Sequence, residues 1–297
     1  MQRFLIALLG LLCSLPAAAW NGAGHRLVAV IAWQQLSVPT RQFVAHALAA
    51  HPDHPRWVEH AGGFGDSAIF AEAATWADSI RNDPRYHDEG RGDATPLLAG
   101  RFDSRRHRDW HYVDVDATGH PVKGELDQQI KRLSRLLGQT TEPLEITYAL
   151  PWLAHLVADI HQPLHVGRTD DDGGTRFAIE NPFKRRQPFT TLHAYWDDLP
   201  GSSSLRGRRL QREAARLIGE RRPPPQGDAD LWRLESLRLH AIVYPQQVGS
   251  LLPIIDASFQ QRAQATAERR LAEAGYRLGH LLEAGLRQQV SRETLKD

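Results

Sequence analysis

The chain has 297 residues, of which 41% are hydrophobic and 24% charged, the composition of a soluble globular protein that can bury a sizeable core. The formal net charge at pH 7 is only +1. This value excludes a global basic field as the means of attracting nucleic acid, so any such partner must be held locally. The single cysteine, Cys13, excludes a fold held together by disulfide bonds.

Residues 1–19 have the features of a secretory signal peptide. Arg3 provides a positive start, residues 4–12 are apolar, and residues 17–19 are the small side chains of a cleavage site. The apolar run is too short to span a bilayer, and a retained membrane anchor is the alternative. We therefore predict an exported protein, periplasmic or extracellular, whose single mature domain spans residues 20–297 and has no membrane partner. Loss of Arg3 leaves 35 basic against 35 acidic residues.

The hydrophobic pattern predicts a mostly helical chain. The predicted helices cover residues 26–36, 40–50, 68–81, 125–138, 147–160, 192–198, 205–221, 229–242 and 256–287. Residues 51–66, 82–108 and 170–174 are predicted to be loops because Gly, Pro and polar side chains are frequent there, and residues 110–114 are predicted to be extended. No internal repeat or domain boundary is visible, so we expect an all-α protein with a single compact helical domain.

The most informative segment is residues 155–165, His-Leu-Val-Ala-Asp-Ile-His-Gln-Pro-Leu-His. His155 and Asp159 are four residues apart, so on a helix they lie one turn apart on the same face. Pro163 cannot continue that helix comfortably, so His165 leaves its C-terminal end and can point toward a neighbouring site. Imidazole nitrogens and a carboxylate suit zinc. For any one of these histidines alone, a buried, hydrogen-bonded core residue is the alternative.

A second pair with the same spacing, His193 and Asp197, begins another predicted helix. Further candidates complete a set of nine metal ligands: Trp20, His25, Asp78, His111, His155, Asp159, His165, His193 and Asp197. With one bridging carboxylate, nine ligands suffice for three zinc ions plus waters. Two ions that share a carboxylate can hold a bridging hydroxide as the nucleophile of a phosphoryl transfer, with the metals about 3.5–4 Å apart.

With these residues the chain resembles the single-strand-specific zinc nucleases of plants, fungi and bacteria, the S-one/P-one type. The matching stretches are Trp-Asn-Gly-x-Gly-His at 20–25, Trp-Ala-Asp-x-Ile-Arg at 76–81, Trp-His-Tyr-Val-Asp at 110–114, His-x-x-x-Asp-Ile-His-Gln-Pro-Leu-His at 155–165, Asp-Gly-Gly at 172–174 and Leu-His-Ala-x-Trp-Asp at 192–197. Six motifs in this order are strongly specific, and the resemblance covers nearly all of residues 20–297. Three positions depart from the family pattern, Ala158, Thr175 and Thr191.

The resemblance implies a mainly helical fold shared with zinc-dependent phospholipases C, and a division of the ligands among three zinc ions. The first ion would be held by Asp78, His111, His155 and Asp159. The second would be held by the amino nitrogen and carbonyl oxygen of Trp20, by His25 and by the bridging Asp159. The third would be held by His165, His193 and Asp197.

The resemblance also implies roles for residues beside the metals. Asp78 and Arg81 would be catalytic, with Arg81 stabilising negative charge on the phosphate. Tyr112 would offer a stacking face to a base, with plain packing as the alternative, and Asp114 could accept hydrogen bonds from that base.

The implied function is that of a secreted endonuclease that cleaves single-stranded DNA and RNA to 5'-phosphorylated products and also acts on 3'-nucleotides. We expect a monomer. A zinc-dependent phospholipase C is one alternative, but that group usually ends its ligand series with Glu, where Asp197 stands here. A non-catalytic zinc-binding protein is another, although it would not need Arg81 beside Asp78.

Other polar and aromatic residues are predicted to have structural roles. His161 points away from the face of His155 and Asp159, so we expect it to form structural hydrogen bonds. The tryptophans Trp33 and Trp57 are predicted to pack. The histidines of the predicted loops are expected to be solvated: His51, His54, His60, His87 and His107. The arginines of 205–222 are predicted to form a solvated helix face, with a track for a nucleic-acid backbone as the alternative.

Overall fold

The structure is a computed structural model that describes residues 20–90, 92–246 and 251–294. The predicted signal peptide lies outside these residues. The α-helices are α1 (Gly22–Gln35), α2 (Val38–Ala49), α3 (His54–Ala61), α4 (Asp66–Ala73), α5 (Trp76–Ser79), α6 (Leu126–Gln139), α7 (Pro143–His161), α8 (Leu192–Asp197), α9 (Gly207–Glu220), α10 (Ala229–Arg238), α11 (His240–Val243), α12 (Ala257–Gly285) and α13 (Arg287–Thr294). The all-α class is therefore confirmed.

Short elements complete the architecture. The 3-10 helices are Ile80–Asn82, Arg108–His111 and Pro163–His165. Two antiparallel pairs of strands contribute small ribbons: β1 (Val113–Val115) with β2 (Pro121–Gly124), and β3 (Ala178–Glu180) with β4 (Phe189–Thr191). Among the described helices, none has both the length and the apolar character required to cross a bilayer.

Helix α7 is the centre of the fold. Every residue from 146 to 161 is buried, as expected of a helix that is apolar on nearly all sides and enclosed by other helices. Pro143 stands in its first turn, where a missing N–H leaves no hydrogen bond unmade. Around it, α1 and α12 approach each other closely because α12 presents Gly275, where a Cβ atom would lie 2.4 Å from Cγ2 of Ile31. The helices that carry the candidate ligands are thus held in a closely packed frame.

The main differences from the predicted elements are short breaks, the strands β2, β3 and β4, and two additional helices, α3 and α13. Residues 51–66 are not a continuous loop but contain α3, which has Pro55 in its first turn and buries Trp57. The helix ends at Ala61 and is capped by Gly62 in the left-handed conformation. The predicted helix 68–81 is divided into α4, α5 and a 3-10 turn. At the first break, the carbonyl of Ala74 accepts a hydrogen bond from His155, so the interruption connects α4 to the ligand-bearing helix.

The expectation that all loop histidines are solvated was wrong for two of them. His51 is only 6% exposed, stacks on Trp57 and accepts a hydrogen bond from the Asp53 amide. His107 is 2% exposed, contacts Asp103 at 2.8 Å and stacks on Trp110. Pattern analysis missed them because side chains of other elements complete their burial: Trp76 lies against His51, and Tyr148 and Trp152 of α7 lie against His107. Trp33 and Trp57 are buried in the core, as predicted.

Candidate metal centre

Helix α7 presents His155 and Asp159 on one face, where the 3-10 helix Arg108–His111 brings His111 against them. Nε2 of His155 lies 3.0 Å from Nδ1 of His111 and 3.2 Å from Oδ2 of Asp159. Nδ1 of His111 lies 3.2 Å from the same carboxylate oxygen. These three buried side chains form one group whose donor atoms all face a common point.

A second group adjoins the first through α1 and α5. Nε2 of His25 lies 3.5 Å from Oδ1 of Asp159 and 3.9 Å from Oδ2 of Asp78. The imidazole rings of His25 and His155 stack with centroids 3.8 Å apart. The two oxygens of Asp159 therefore face different histidines, which is the arrangement that a carboxylate bridging two cations requires.

The third group joins the end of α7 to α8. Nε2 of His165 lies 3.9 Å from Oδ1 of Asp197, and Nε2 of His193 lies 3.4 Å from Oδ2 of the same residue. The buried side chain of Gln162 donates a hydrogen bond of 2.7 Å to Oδ1 of Asp197 and accepts one from the Leu164 amide. Gln162 was not predicted as a site residue; its position between His161 and Pro163 in the motif was the available signal.

Three of the histidines are held by backbone carbonyls. Nδ1 of His155 donates to Ala74, Nδ1 of His165 to His111, and Nδ1 of His193 to Gly173, at 2.9, 2.5 and 2.7 Å. A carbonyl oxygen can only accept, so each Nδ1 carries the proton and each Nε2 offers its lone pair to the cluster. This is the outer support typical of metal-binding histidines.

Burial determines the charges of the groups. Burial lowers the pKa of His25, His111 and His165 well below its ordinary value, which keeps these imidazoles neutral. Burial also raises the pKa of Asp159 to about 6, against the opposing effect of His155, and raises that of Asp197. Burial acts on His155 as well, but the carboxylates of Asp159 and Asp78 outweigh it and raise the pKa of this imidazole. The neutral imidazoles of His25, His111 and His165 cannot balance the remaining buried carboxylate charge.

The buried atoms of these groups therefore fit a cation. Among the described residues, no hydrogen bond reaches either ring nitrogen of His25 or Oδ1 of Asp159. Such unpartnered polar atoms are costly in a protein interior unless a ligand completes them. A set of imidazole nitrogens and carboxylate oxygens is the donor chemistry of zinc.

Trp20 ties the start of the described chain to two of the groups. Its buried indole donates a hydrogen bond of 3.1 Å to the carbonyl of Ala158, beside Asp159, and the Asn21 amide donates to the carbonyl of Asp197 at 3.0 Å. Gly24 allows this approach, since a Cβ there would lie 2.6 Å from Cβ of Trp20. Coordination by the amino nitrogen and carbonyl oxygen of Trp20 remains a prediction.

Arg81 lies at the edge of the groups. Its Nε contacts Oδ1 of Asp78 at 2.9 Å, and its side chain is 8% exposed. The carboxylate of Asp78 is in turn 3.8 Å from Nε2 of His155. A guanidinium in this position can reach an anionic group that approaches the clusters.

Tyr112 and Asp114 follow His111 in the chain. The hydroxyl of Tyr112 donates to Asp109 at 2.7 Å, and Nζ of Lys123 lies 5.0 Å from the ring centroid. Asp114 is buried, and burial raises its pKa to about 6, although Lys123 opposes the shift. Asp109 and Lys123 were not predicted to belong here. Contacts of Tyr112 or Asp114 with a base remain predictions.

Comparison with known proteins gives consistent matches. Residues 20–287 match the family model described as S1/P1 Nuclease. Endonuclease 3 of Arabidopsis thaliana is 26% identical over 291 residues, covering 90% of this chain and 88% of that protein. Endonuclease 4 of the same plant is 43% identical over 61 residues, or 20% of this chain and 19% of its own length. Nuclease S1 of Aspergillus oryzae is 24% identical over 189 residues, or 60% and 53%. The match thus spans less than two thirds of the latter two relatives.

Proposed function

Because this chain belongs to the S1/P1 nuclease family, we propose that it is a zinc-dependent nuclease that hydrolyses phosphodiester bonds of single-stranded DNA and RNA. Its products are 5'-phosphorylated, and it also releases phosphate from 3'-nucleotides. The observation that carries this proposal is the presence of three His/Asp groups, buried except for Asp78, and the position of one carboxylate, Asp159, whose two oxygens face histidines of two of these groups.

The three groups would hold three zinc ions. Asp78, His111, His155 and Asp159 would hold the first; Trp20, His25 and Asp159 the second; and His165, His193 and Asp197 the third. When bound, zinc would supply a water whose pKa is about 7 and would withdraw charge from the phosphate. The support for this assignment is the fixed direction of each Nε2 lone pair of His155, His165 and His193.

The side chains around the groups have separate tasks. Asp78 orients Arg81 through their contact of 2.9 Å, so the guanidinium is positioned before substrate arrives. Arg81 then donates to the phosphate oxygens, whose negative charge grows in the transition state. Because Arg81 is nearly buried, this interaction is less screened than it would be in water.

Preference for single strands is explained by the residues next to His111. Tyr112 stacks on a base, with its ring fixed by the bond to Asp109, and Asp114 accepts hydrogen bonds from the base edge. A base in a duplex is already stacked and paired, so it is less available for either contact.

Export completes the site in this proposal. Cleavage after residue 19 frees the amino group of Trp20, and only a free amine can donate a lone pair to zinc. The buried indole of Trp20 and its bond to Ala158 support this position for the mature terminus. The protein would act as a monomer, in the periplasm or outside the cell.

The test is a side-by-side assay of the purified protein beginning at Trp20, loaded with zinc. We expect rapid cleavage of single-stranded DNA and RNA, slow cleavage of duplex DNA, phosphate release from 3'-AMP but not 5'-AMP, and no hydrolysis of phosphatidylcholine. The same protein with methionine before Trp20 is the matched control, and it should lose most activity. Lipid hydrolysis without cleavage of nucleic acid would instead identify a phospholipase C.

A further inference from the structure

Two arginine side chains from a later segment cap the 3-10 helix Ile80–Asn82, which carries Arg81. Nη2 of Arg108 donates to the Arg81 carbonyl at 2.9 Å. Arg106 donates from Nε and Nη2 to the carbonyls of residues 80 and 83, at 3.3 and 3.0 Å. The last carbonyls of a helix have no partner within it, and arginine side chains can supply one. The backbone of the turn that holds Arg81 is therefore fixed from outside.

One carboxylate holds both of these arginines. Oδ1 of Asp88 accepts a hydrogen bond from Nε of Arg108 at 2.5 Å, and Oδ2 lies 3.3 Å from Nη1 of Arg106. Burial alone would raise the pKa of Asp88, but Arg108 and Arg106 lower it below its ordinary value, so the carboxylate is charged at neutral pH. Each oxygen thus makes a charge-assisted contact with a different guanidinium. We call Asp88, Arg106 and Arg108 the Asp88 cluster.

Backbone hydrogen bonds place Asp88 beside the arginines. The His87 amide donates to the Ser104 carbonyl at 3.0 Å, and the Arg106 amide donates to the His87 carbonyl at 2.9 Å. These bonds pair the two limbs of the segment that the sequence predicts as the loop 82–108. The carboxylate therefore stands on paired backbone, and its position does not depend on side-chain contacts alone.

The Asp88 cluster also connects Arg81 to a candidate metal ligand. Arg108, which contacts the Arg81 carbonyl, is the first residue of the 3-10 helix Arg108–His111 that carries His111. The other end of the Arg81 side chain contacts Asp78 at 2.9 Å. Because an arginine side chain has many rotamers, the contact with Asp78 leaves the backbone position undetermined. The Asp88 cluster supplies that second constraint.

Resting on the proposed nuclease function, we infer that Asp88, Arg106 and Arg108 are positioning residues for Arg81. They hold its backbone in a fixed relation to His111, so that the guanidinium meets the phosphate at the metal centre without moving. A donor that is fixed before the reaction costs no reorganisation in the transition state. A displacement of about 1 Å by a substitution far from the chemistry can cost ~10²-fold in rate.

A contribution to global stability alone is the alternative role. The side chains of Arg108 and Asp88 are 36% and 24% exposed, and ion pairs that reach solvent contribute little to the free energy of unfolding. Loss of the Asp88 carboxylate should therefore leave the melting temperature nearly unchanged. Its effect should appear in the chemical step instead.

The experiment is a double-mutant cycle between Asp88 and Arg81 in the zinc-loaded protein. Asp88→Ala is expected to lower kcat on single-stranded DNA by about 10- to 100-fold with KM and zinc content unchanged. In the Arg81→Ala background, which keeps the carbonyl but has no guanidinium to position, the same substitution should change kcat by less than about twofold. Asp88→Asn, which keeps the shape and one acceptor oxygen, should give an intermediate rate.

Glu89→Ala is the matched control, because Glu89 is the next carboxylate in the chain and contacts the exposed Arg105. Its kinetics should equal those of the wild type. An equal loss of kcat from Asp88→Ala in both backgrounds would overturn the inference, since the cluster would then act independently of Arg81. If Asp88→Ala does not fold, Asp88→Asn with wild-type kcat overturns it.

Hydrogen exchange separates this inference from the nuclease assignment. The Asp83 amide donates to the Ile80 carbonyl at 3.2 Å, so its exchange reports opening of the capped turn. We expect exchange about tenfold faster in Asp88→Ala, and unchanged in Glu89→Ala. If the wild type cleaves no nucleic acid, the assignment fails, and faster exchange in Asp88→Ala alone still supports the positioning of Arg81. Equal exchange in all three proteins would overturn the positioning role whatever the activity.

Discussion

Two buried polar clusters meet on the same helix, α7, and they differ in where their counter-charge comes from. The metal-facing cluster contains His155 and Asp159, and burial keeps the imidazoles of His25 and His111 beside its carboxylates neutral. The arginine-facing cluster contains His161, only two residues beyond Asp159. Its countercharges are all within the chain.

In the arginine-facing cluster, buried arginines are paired with glutamates of the same chain. Nη1 of Arg277 donates to Nε2 of His161 at 2.9 Å and also contacts Glu235 at 2.6 Å. Arg270 contacts Glu235 and Glu273 at 2.9 and 2.6 Å. His161 completes the arrangement by donating from Nδ1 to the Val157 carbonyl, as its predicted structural role requires.

The difference teaches that residue type and helix position do not decide the role of a histidine. His155 and His161 are both fully buried on α7. What separates them is the neighbouring chain, since α12 brings guanidinium groups to one face while α1, α5 and α8 bring carboxylates and imidazoles to the other. A buried cluster that contains its own cations needs no counter-charge from solution, whereas a cluster with too few of them is suited to binding a metal cation.

The largest effect should follow the loss of a metal ligand from the metal-facing cluster. Asp159→Asn is expected to abolish nuclease activity and to lower zinc content from three ions to one, because Asp159 faces two of the three groups. Elemental analysis and rates on single-stranded DNA check this. Chelation of the wild type should also lower its melting temperature, because metal binding is coupled to folding. Three ions retained by Asp159→Asn would contradict the bridging role.

A substitution in the arginine-facing cluster should instead lower the free energy of unfolding. Glu235→Gln leaves Arg270 and Arg277 buried without their shared carboxylate, and removal of one partner from such a cluster typically costs about 3–5 kcal/mol. Zinc content and kcat per folded molecule should not change. Urea unfolding measures the loss. Glu220→Gln, which breaks an exposed pair with Arg216, is the control, and its effect should stay below about 1 kcal/mol.

The stability lost in the Glu235→Gln variant should depend on pH. Burial alone would raise the pKa of Glu235, but hydrogen bonds from Arg277 and Arg270 lower it below its ordinary value. A carboxylate with a depressed folded pKa stabilises fully above its unfolded pKa of about 4.3 and loses that contribution as pH falls through the folded value. The stability difference between wild type and Glu235→Gln should therefore be constant near neutrality and shrink in acid. A stability difference that stays constant down to pH 3 would contradict this prediction.

Arg81 gives a further test of the metal-facing cluster, because its guanidinium is a cation of the chain that lies beside this cluster. Arg81→Ala is expected to lower kcat by about 10²–10³-fold, the usual effect of losing one donor to a developing oxyanion. Zinc content should remain unchanged. Arg81→Lys should restore only part of the rate, since an ammonium lacks the planar fork. A large loss of zinc in Arg81→Ala would mean that Arg81 supports the ligands instead.

The smallest expected effect concerns Tyr112. Tyr112→Ala should weaken transition-state binding of single strands by ~1–3 kcal/mol through loss of stacking. Tyr112→Phe, which loses only the bond to Asp109, is the control and should retain most of kcat/KM. Unchanged kinetics for Tyr112→Ala would return this residue to a packing role.

The sequence predicts those parts of the molecule whose cause is local. The turn at Pro163, the shared face of His155 and Asp159 and the helix carrying His193 and Asp197 follow from spacing alone. Residues whose environment is made by distant segments could not be predicted in this way. Gln162 acquires its role only because α8 places Asp197 beside it, and His107 is buried because α7 places Tyr148 and Trp152 against it.

The last turn of α7 differs from an ordinary helix end in one further respect. The final carbonyls of a helix have no partner within it, yet here Ala158 accepts from the indole of Trp20, Ile160 from the hydroxyl of Ser236, and His161 from Nε of Arg270. Fraying at this end would have to break contacts with the N-terminal segment, α10 and α12 together. Local opening near Asp159 is therefore suppressed, and its amide proton should exchange with solvent only when the whole domain unfolds.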